Sequence, residues 1–594
     1  MKPAGGSNGS GNGGRGAKSP RAQAEERDTG QQPAADTAAG GGEQPPEPAQ
    51  QAARPSGPGA RPGWGRYLVA PRPLGLLGGG VPPIEASALF ALLEEDPDVE
   101  PVAQVRPSRS RGLQAIAEPY RACPPVAVVR MPEERARVLA ANPQVIIEID
   151  QPLSYTPTPP AGLGPVPVID PMLAVTLEEP QQLTLRVMGS DGDAVAGAHV
   201  WAIGTGGPVH AVTSADGQVT LTLTADIPDT LQALYIRPRS GYWPTRTAMP
   251  RPAGNGEAVV QVEALSDTFE DFPGRAVTGW GAQAMRLNRI PPTYRGHGIK
   301  IALLDSGVNT GHPDLKDTVR HGHDFTGQGK GTWKADTCGR GTWCAGIIAA
   351  ADNNTGITGI ASEAELHALK LFPGGHLSDL LEAVDYCITH GIDLAQLSLA
   401  YPLPSQLAAW KLADAHAAGI TVIAPAGDTA GPLTHPATLP GILAVGALAH
   451  TGTYPSSSPL AAMRPPWPGP YPAPFTPASP GVDVIAPGAA VITTSLDDGY
   501  TVADSTAIAA AHVTGLAALL LAHHDHLRTQ VMPRTTARAD QLYLLLQTAC
   551  RPLPGPDPRT GAGITDAPTA LGIPTHWQQN EHPYATTTPT RHHT

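Results

Sequence analysis

The sequence is short of charge, of aromatic residues and of cysteine, and each shortage excludes something. Charged residues make up 16% of the 594 and aromatic residues 5%, while Gly and Pro number 66 each, together more than a fifth of the chain. Part of such a chain cannot bury enough apolar surface to fold. The five cysteines, Cys123, Cys338, Cys344, Cys387 and Cys550, are odd in number and include no CxxC pair, which argues against a disulfide framework and a structural zinc site. The net charge of -13 is spread without a long block of one sign, so no nucleic acid and no anionic membrane is expected as a partner. The longest apolar run, residues 516–522, is too short to cross a bilayer, and the start MKPAGGSNGSGNGGRG has no apolar signal core. The expectation is a cytoplasmic protein, with secretion left open.

What is present falls into segments. Residues 1–62 and 576–594 carry almost no large apolar side chains and are expected to be disordered tails, because nothing there offsets the entropy of ordering. Across residues 63–158, RYLVAP, VEPVAQV, PPVAVVRM and QVIIEID read as strands, and IEASALFALLEE and PEERARVLAANP as helices. The order βαββαβ makes a ferredoxin-like α+β plait the economical fold. Residues 165–265 alternate with the strand period in LTLRV, AHVWAI, QVTLTL, ALYIRP and VVQVEAL, with turn signals SDGD and SADG between them. A small β-sandwich is expected, similar to transthyretin-like accessory domains, an analogy that carries no function of its own. Across residues 267–575 apolar strands such as IKIALLD, IDLAQLSLA and ITVIAPAGD alternate with helical stretches such as HLSDLLEAVDYCITHG. That pattern predicts an α/β domain with a central parallel sheet covered on both faces, its site beyond the carboxyl ends of the strands.

Three stretches of this last segment, IKIALLDSGVNTGHPDLKD, GRGTWCAGIIAAADNNTGITGIAS and VDVIAPGAAVITTSLDDGYTVADSTAIAAAHVTGLAALLL, resemble in order the signature segments of the subtilisin-like serine proteases, the subtilases. Upstream, VVRMPEERARVLAANPQVIIEID resembles the second half of the propeptide that precedes those enzymes. The resemblance implies a subtilisin-like domain behind a propeptide-like plait. It puts Asp305 at the triad aspartate and Arg340 where the family carries its histidine base. The HVTG register, with His512 five positions beyond it, puts Ala507 where the nucleophilic serine stands, and APAGDT puts Asp428 in place of the oxyanion-hole asparagine. Three of four chemical positions are substituted.

Elementary chemistry weighs those substitutions. A guanidinium keeps its proton and has no acceptor, so Arg340 cannot deprotonate a hydroxyl. Ala507 has no heteroatom with which to form an acyl-enzyme. An ionised Asp428 cannot donate to an oxyanion. Arg340 between Asp305 and Asp428 is expected instead to form a guanidinium–carboxylate cluster. Cys338, Cys344, Ser505 and Thr506 lie close by in sequence as replacement nucleophiles, none with a visible base.

The resemblance further implies that Leu397, Ser398, Leu399 and Ala400 form an edge that pairs with an extended substrate backbone, and that Pro425, Ala426 and Gly427 border the pocket beside the cleavage point. Such pairing needs no catalytic group. The expected partners are an extended peptide or protein in the cleft and, in cis, the chain's own propeptide-like domain with DQPLSYTP at its end. HPDL with Asp314, and DNNTG with Asn353 and Asn354, resemble subtilase calcium segments. No cofactor is committed, and calcium stays open. The leading expectation is a subtilase-fold pseudoprotease that binds without cutting. Two rivals stay open: an active serine endopeptidase with a rewired centre, and a scaffold acting through the β-sandwich.

Overall fold

The structure is a computed structural model that describes residues 61–574 except 62, 74–81, 107–121, 155–178, 205, 251–257, 529–530 and 556. The expected tails, Arg61 aside, lie outside the described residues. Strands β1 (Trp64–Pro71), β2 (Glu100–Val105), β3 (Val126–Pro132) and β4 (Val145–Ile149) form a sheet in the order β2-β3-β1-β4, all pairs antiparallel. Helix α1 (Ala86–Glu95) follows β1 and α2 (Glu133–Ala140) follows β3. Successive strand residues face opposite sides of a sheet, and both sides here are apolar. Val69, Val129, Met131 and Val145 pack with Leu89, Phe90 and Leu93 of α1 and Ala136 of α2. Leu68, Ala70, Val126, Val128 and Ile146 face the other way, onto two helices that come far later in the chain.

The next seven strands are β5 (Gln181–Gly189), β6 (His199–Gly204), β7 (Gly207–Val212), β8 (Gln218–Leu223), β9 (Ala233–Arg237), β10 (Thr245–Thr247) and β11 (Ala258–Val262). They form two sheets, ordered β10-β9-β6-β7 and β11-β5-β8. Their inward residues, among them Leu185, Val187, Val200, Leu221, Ile236 and Val260, make one shared core. This two-sheet unit meets the rest of the chain through Gly241 N donating to Tyr500 O (2.8 Å), Arg246 N donating to Ser457 O (2.8 Å) and Arg237 lying 4.9 Å above the Trp343 ring.

The largest sheet is parallel through its centre, in the order β13-β14-β12-β15-β16-β17-β18. Its strands are β12 (Lys300–Asp305), β13 (His321–Asp324), β14 (Glu365–Lys370), β15 (Leu394–Leu397), β16 (Thr421–Pro425), β17 (Ile442–His450) and β18 (Val484–Pro487). Helices α3 (Arg340–Ala349) and α6 (Thr506–His523) pack in the core on one face, and α4 (Leu377–Thr389) and α5 (Gln406–Ala417) on the other. Helix α6 is long and apolar enough to span a membrane, which the seven-residue run did not indicate, yet 89% of it is buried inside the fold. Its apolar character on all sides is that of a central core helix.

Helices α4 and α5 carry the outer face of the first sheet, and that contact is rich in carboxylates. Asp379, in the first turn of α4, accepts from His376 N (2.7 Å), and burial pushes its carboxyl up to about 7 against that bond, with Asp150 and Glu382 adding to the rise and Arg66 opposing it. An unfolded Asp ionises near its ordinary value of about 3.9. Stability is therefore highest below that value and declines as pH rises toward 7, by roughly 2–4 kcal/mol from this group. Asp379→Asn should raise the melting temperature at pH 8 and leave it unchanged at pH 4. Thermal unfolding at the two pH values checks this, and equal effects at both would exclude the assignment.

Candidate functional site

The residues singled out in sequence meet at the carboxyl ends of neighbouring parallel strands. Asp305 is the last residue of β12, Ser398 directly follows β15, and Ala426, Gly427 and Asp428 follow β16. Arg340 is the first residue of α3. Gly339 before it has φ 91°, a left-handed conformation that glycine adopts without strain. A Cβ on Gly341 would stand 1.9 Å from Gly307 O, so that glycine lets α3 approach the loop after β12.

A cation at the positive end of a helix is unfavourable, and two buried carboxylates offset it. Asp336 accepts from Cys338 N, Gly339 N and Thr342 N (each 2.9 Å) and from Thr342 Oγ1 (2.8 Å), capping α3. Asp305 Oδ1 lies 3.8 Å from Arg340 Nε and accepts from Ser306 N (2.7 Å) and Ser306 Oγ (3.1 Å). Burial pushes the Asp305 carboxyl up to about 6, with Arg340 pulling it down and Asp336 pushing it further up. Arg340 also donates to Ser398 O at 3.1 Å. Guanidinium, carboxylate and strand edge thus occupy one buried spot, Arg340 being 6% exposed.

Asp428 has a second task. Its carboxylate accepts from Thr506 N (2.6 Å), Thr506 Oγ1 (2.8 Å) and Ser505 Oγ (2.7 Å), so it ties down the first turn of α6. Ser505 Oγ in turn accepts from Ala507 N at 3.0 Å, and Gly427 N donates to Thr506 Oγ1 at 3.1 Å. Ala507 is fully buried, and its carbonyl receives Gln396 Nε2 (3.1 Å) and Cys344 Sγ (3.6 Å). Burial pushes the thiols of both nearby cysteines up, Cys338 to about 11 and Cys344 higher still. Neither is a poised nucleophile. His512 is buried inside α6 with Nδ1 2.9 Å from Ile508 O, and burial lowers it to about 4. It is a neutral core histidine.

The strand edge named in sequence is occupied. Ser154 N donates to Ala400 O (2.8 Å), Ala400 N donates to Ser154 O (2.6 Å), Leu153 N donates to Gly375 O and Leu377 N to Gln151 O (2.9 Å each). Residues 151–154 thus lie extended between the segment after β14 and the segment after β15, with bridges Pro152 to His376 and Ser154 to Ala400 both antiparallel. Tyr155 to Pro157, the rest of the expected segment, lie outside the described residues. Just before it, Glu148 accepts from Gln406 N (2.8 Å) and Ser405 Oγ at the start of α5. Asp150 accepts from Ser378 N and Ser378 Oγ (2.8 Å each) at the start of α4, and from Arg66 Nε. Sequence reasoning missed Glu148, Gly375 and Asp336. The signal for Asp336 was an acid three residues before the glycine that precedes a helix start, whereas Glu148 and Gly375 carry none.

We propose that the segments tied to calcium hold no cation. Asp314, fully buried, accepts Asn353 Nδ2 (2.9 Å) on one oxygen and Tyr500 Oη (2.8 Å) and Ile357 N (3.3 Å) on the other. Asn353 Oδ1 accepts from Thr355 N and Oγ1 (3.0 and 2.9 Å). Donors fill the positions an oxygen-seeking ion needs. Among the described residues no group of three or more His, Cys, Asp or Glu could hold a metal. A calcium chelator should leave the melting temperature unchanged, while Tyr500→Phe, which removes a hydrogen bond to a buried carboxylate, should cost about 1.5–3 kcal/mol. Thermal unfolding with and without EGTA tests both, and a fall of several degrees on chelation would overturn the assignment.

Comparison with known proteins places this geometry. The subtilase family model (Peptidase_S8) matches residues 296–564. Subtilisin DY of Bacillus licheniformis is 30% identical over 258 residues, 42% of this chain and 86% of that protein. Subtilisin Savinase of Lederbergia lenta is 33% identical over 229 residues, 38% of this chain and 77% of that protein. M-protease of Shouchella clausii (strain KSM-K16) is 33% identical over 229 residues, and there the chain spans about half of the relative's length, 54%. A parallel sheet with its site at the strand ends, matched over most of two subtilisins, leads to one conclusion: the chain belongs to the subtilase family.

Proposed function

We propose that this subtilase holds an extended peptide segment in its groove and does not cut it. The observation that carries the reading is the environment of Arg340. A guanidinium stands at the family's base position and donates to Ser398 O at 3.1 Å, where an imidazole would accept a proton. The buried methyl of Ala507 at the nucleophile position and the carboxylate of Asp428 at the oxyanion position support it further. A triad without its working members keeps about 10³–10⁴ of acceleration from the oxyanion hole and binding. Losing the oxyanion donor costs about 10²–10³ of that. In this reading residues 63–158 are a propeptide-like domain that stays attached, and residues 151–154 are its peptide in the groove. Residues 165–265 are an accessory sandwich, no metal is required, and the partner in trans is a peptide or protein segment that competes for the same edge.

The rival with a rewired centre has two hydroxyl–acid pairs at Asp428 in its favour, Thr506 Oγ1 at 2.8 Å and, shorter, Ser505 Oγ at 2.7 Å. That hydroxyl is fully buried and also caps Ala507 N. A fluorophosphonate probe should leave the purified chain unlabelled, and the chain should persist uncut at 61.4 kDa. Labelling at Ser505 would establish the rival. In the triple variant Arg340→His, Ala507→Ser, Asp428→Asn, appearance of labelling would show that only the chemistry had been removed. Loss of peptide capture on deleting residues 165–265, with the groove intact, would favour the scaffold reading.

A further inference from the structure

The groove has a direction, and Arg340 stands at its end. Ser154 and Ala400 exchange both backbone hydrogen bonds, at 2.8 and 2.6 Å, which makes them a hydrogen-bonded antiparallel pair. In such a ladder the next pair of that kind lies two residues on. A segment lying as residues 151–154 lie therefore runs, N to C, toward Ser398. Along this edge Ser398 N is already taken by Leu304 O of β12 (3.1 Å), and Ser398 O by Arg340 (3.1 Å). The guanidinium thus lies beside the end of β12, on the carbonyl toward which such a segment runs.

We infer that Arg340 makes the groove a receptor for extended peptides that end in a free carboxylate one or two residues past the position paired with Ala400. The inference rests on the binding reading above. Its chemistry is a matter of donors and acceptors. A chain continuing past that point can share that carbonyl, which has two lone pairs, but offers the guanidinium no opposite charge. A chain ending there brings two acceptor oxygens, and guanidinium and carboxylate match as planar forks. The surroundings are built for this difference. Gln396 Nε2 and Cys344 Sγ each reach both Ser398 Oγ (3.1 and 3.9 Å) and Ala507 O (3.1 and 3.6 Å), so Ala507 and Ser398 border one spot. Asp305, 3.8 Å from Arg340 Nε, holds two donors of Ser306 and keeps the guanidinium in place. The peptide that fits is an N-terminal fragment released by some other protease, which carries the terminal carboxylate that a cut creates.

The chain's own residues 151–154 compete for the edge at an effective concentration in the millimolar range, so the test uses the full chain carrying Ser154→Pro, which removes the N–H that Ala400 O accepts. Fluorescence anisotropy is measured with labelled Gln-Pro-Leu-Ser-Tyr, the sequence of residues 151–155, prepared as the free acid and as the C-terminal amide. The acid should bind at least about tenfold tighter, the ratio expected for one charge-assisted pair, and adding Arg340→Gln should bring the ratio to about one. Equal binding of acid and amide, or a ratio that survives Arg340→Gln, overturns the inference while leaving the peptide-binding reading intact. Failure of both peptides to bind overturns the binding reading and the inference with it. The acid-to-amide ratio in the Ser154→Pro chain decides the matter even where the Arg340 variant does not fold.

Discussion

A helix start leaves four backbone N–H groups without helical partners and a partial positive charge, and four such starts surround the groove of this chain. Each is met by a carboxylate from outside its helix: Asp336 at α3, Asp150 at α4, Glu148 at α5 and Asp428 at α6. The helices carry Arg340 and Ala507 and flank the segment that holds residues 151–154, so their positions fix the site. An N-terminal cap is worth about 0.5–2 kcal/mol, and these acceptors are charged and largely buried. Two of the four come from the first sheet, more than 200 residues upstream of the helices they cap. Docking that sheet therefore completes the helix ends and covers the apolar face of α4 and α5 in one event, and the peptide segment is laid in the groove as the continuation of β4.

Seen through this constraint, Asp428 changes meaning. Considered only as a lost oxyanion donor, it is a defect. In place it accepts three hydrogen bonds at 2.6–2.8 Å from Ser505 and Thr506, which an asparagine, with a single acceptor oxygen, could not do equally well. Ser505 and Thr506, considered as replacement nucleophiles, spend their hydroxyls on the same arrangement. The expected cluster around Arg340 is formed with Asp305 at 3.8 Å, while the carboxylate of Asp428 serves the helix it precedes.

Legibility in the sequence followed the range of each interaction. The strands and helices were readable because period and turn chemistry are local: RYLVAP became β1 and QVIIEID became β4. Their double-sided burial was not, since alternation such as Val128 inward and Val129 outward looks the same whether the second face meets helices or water. Asp305, Arg340, Ala507 and Asp428 could be singled out because motif register is local too. Glu148 and Gly375 were invisible, because an acid at a strand end and a glycine in a loop acquire a role only when the chain brings them to Ser405 or Leu153. The 18-residue apolar helix α6 shows the reverse error: counting only the run 516–522 understated it, since histidine, threonine and glycine within a core helix interrupt a run without exposing it.

The resemblance that puts Asp305 at the triad aspartate bears on how the site is read. In a working triad that carboxylate orients and stabilises an imidazolium, and its presence is easily taken as a remnant of activity. Beside Arg340 it has a reason of its own. Removing one member of a buried ion pair costs about 3–5 kcal/mol because the other charge is left without compensation, and Arg340 is only 6% exposed. Burial pushes the Asp305 carboxyl up to about 6, still below neutral pH, so the pair is ionic at pH 7. With an arginine at the first position of α3, the aspartate at the end of β12 is held by electrostatics whether or not any bond is ever cut, and its presence is no argument for catalysis.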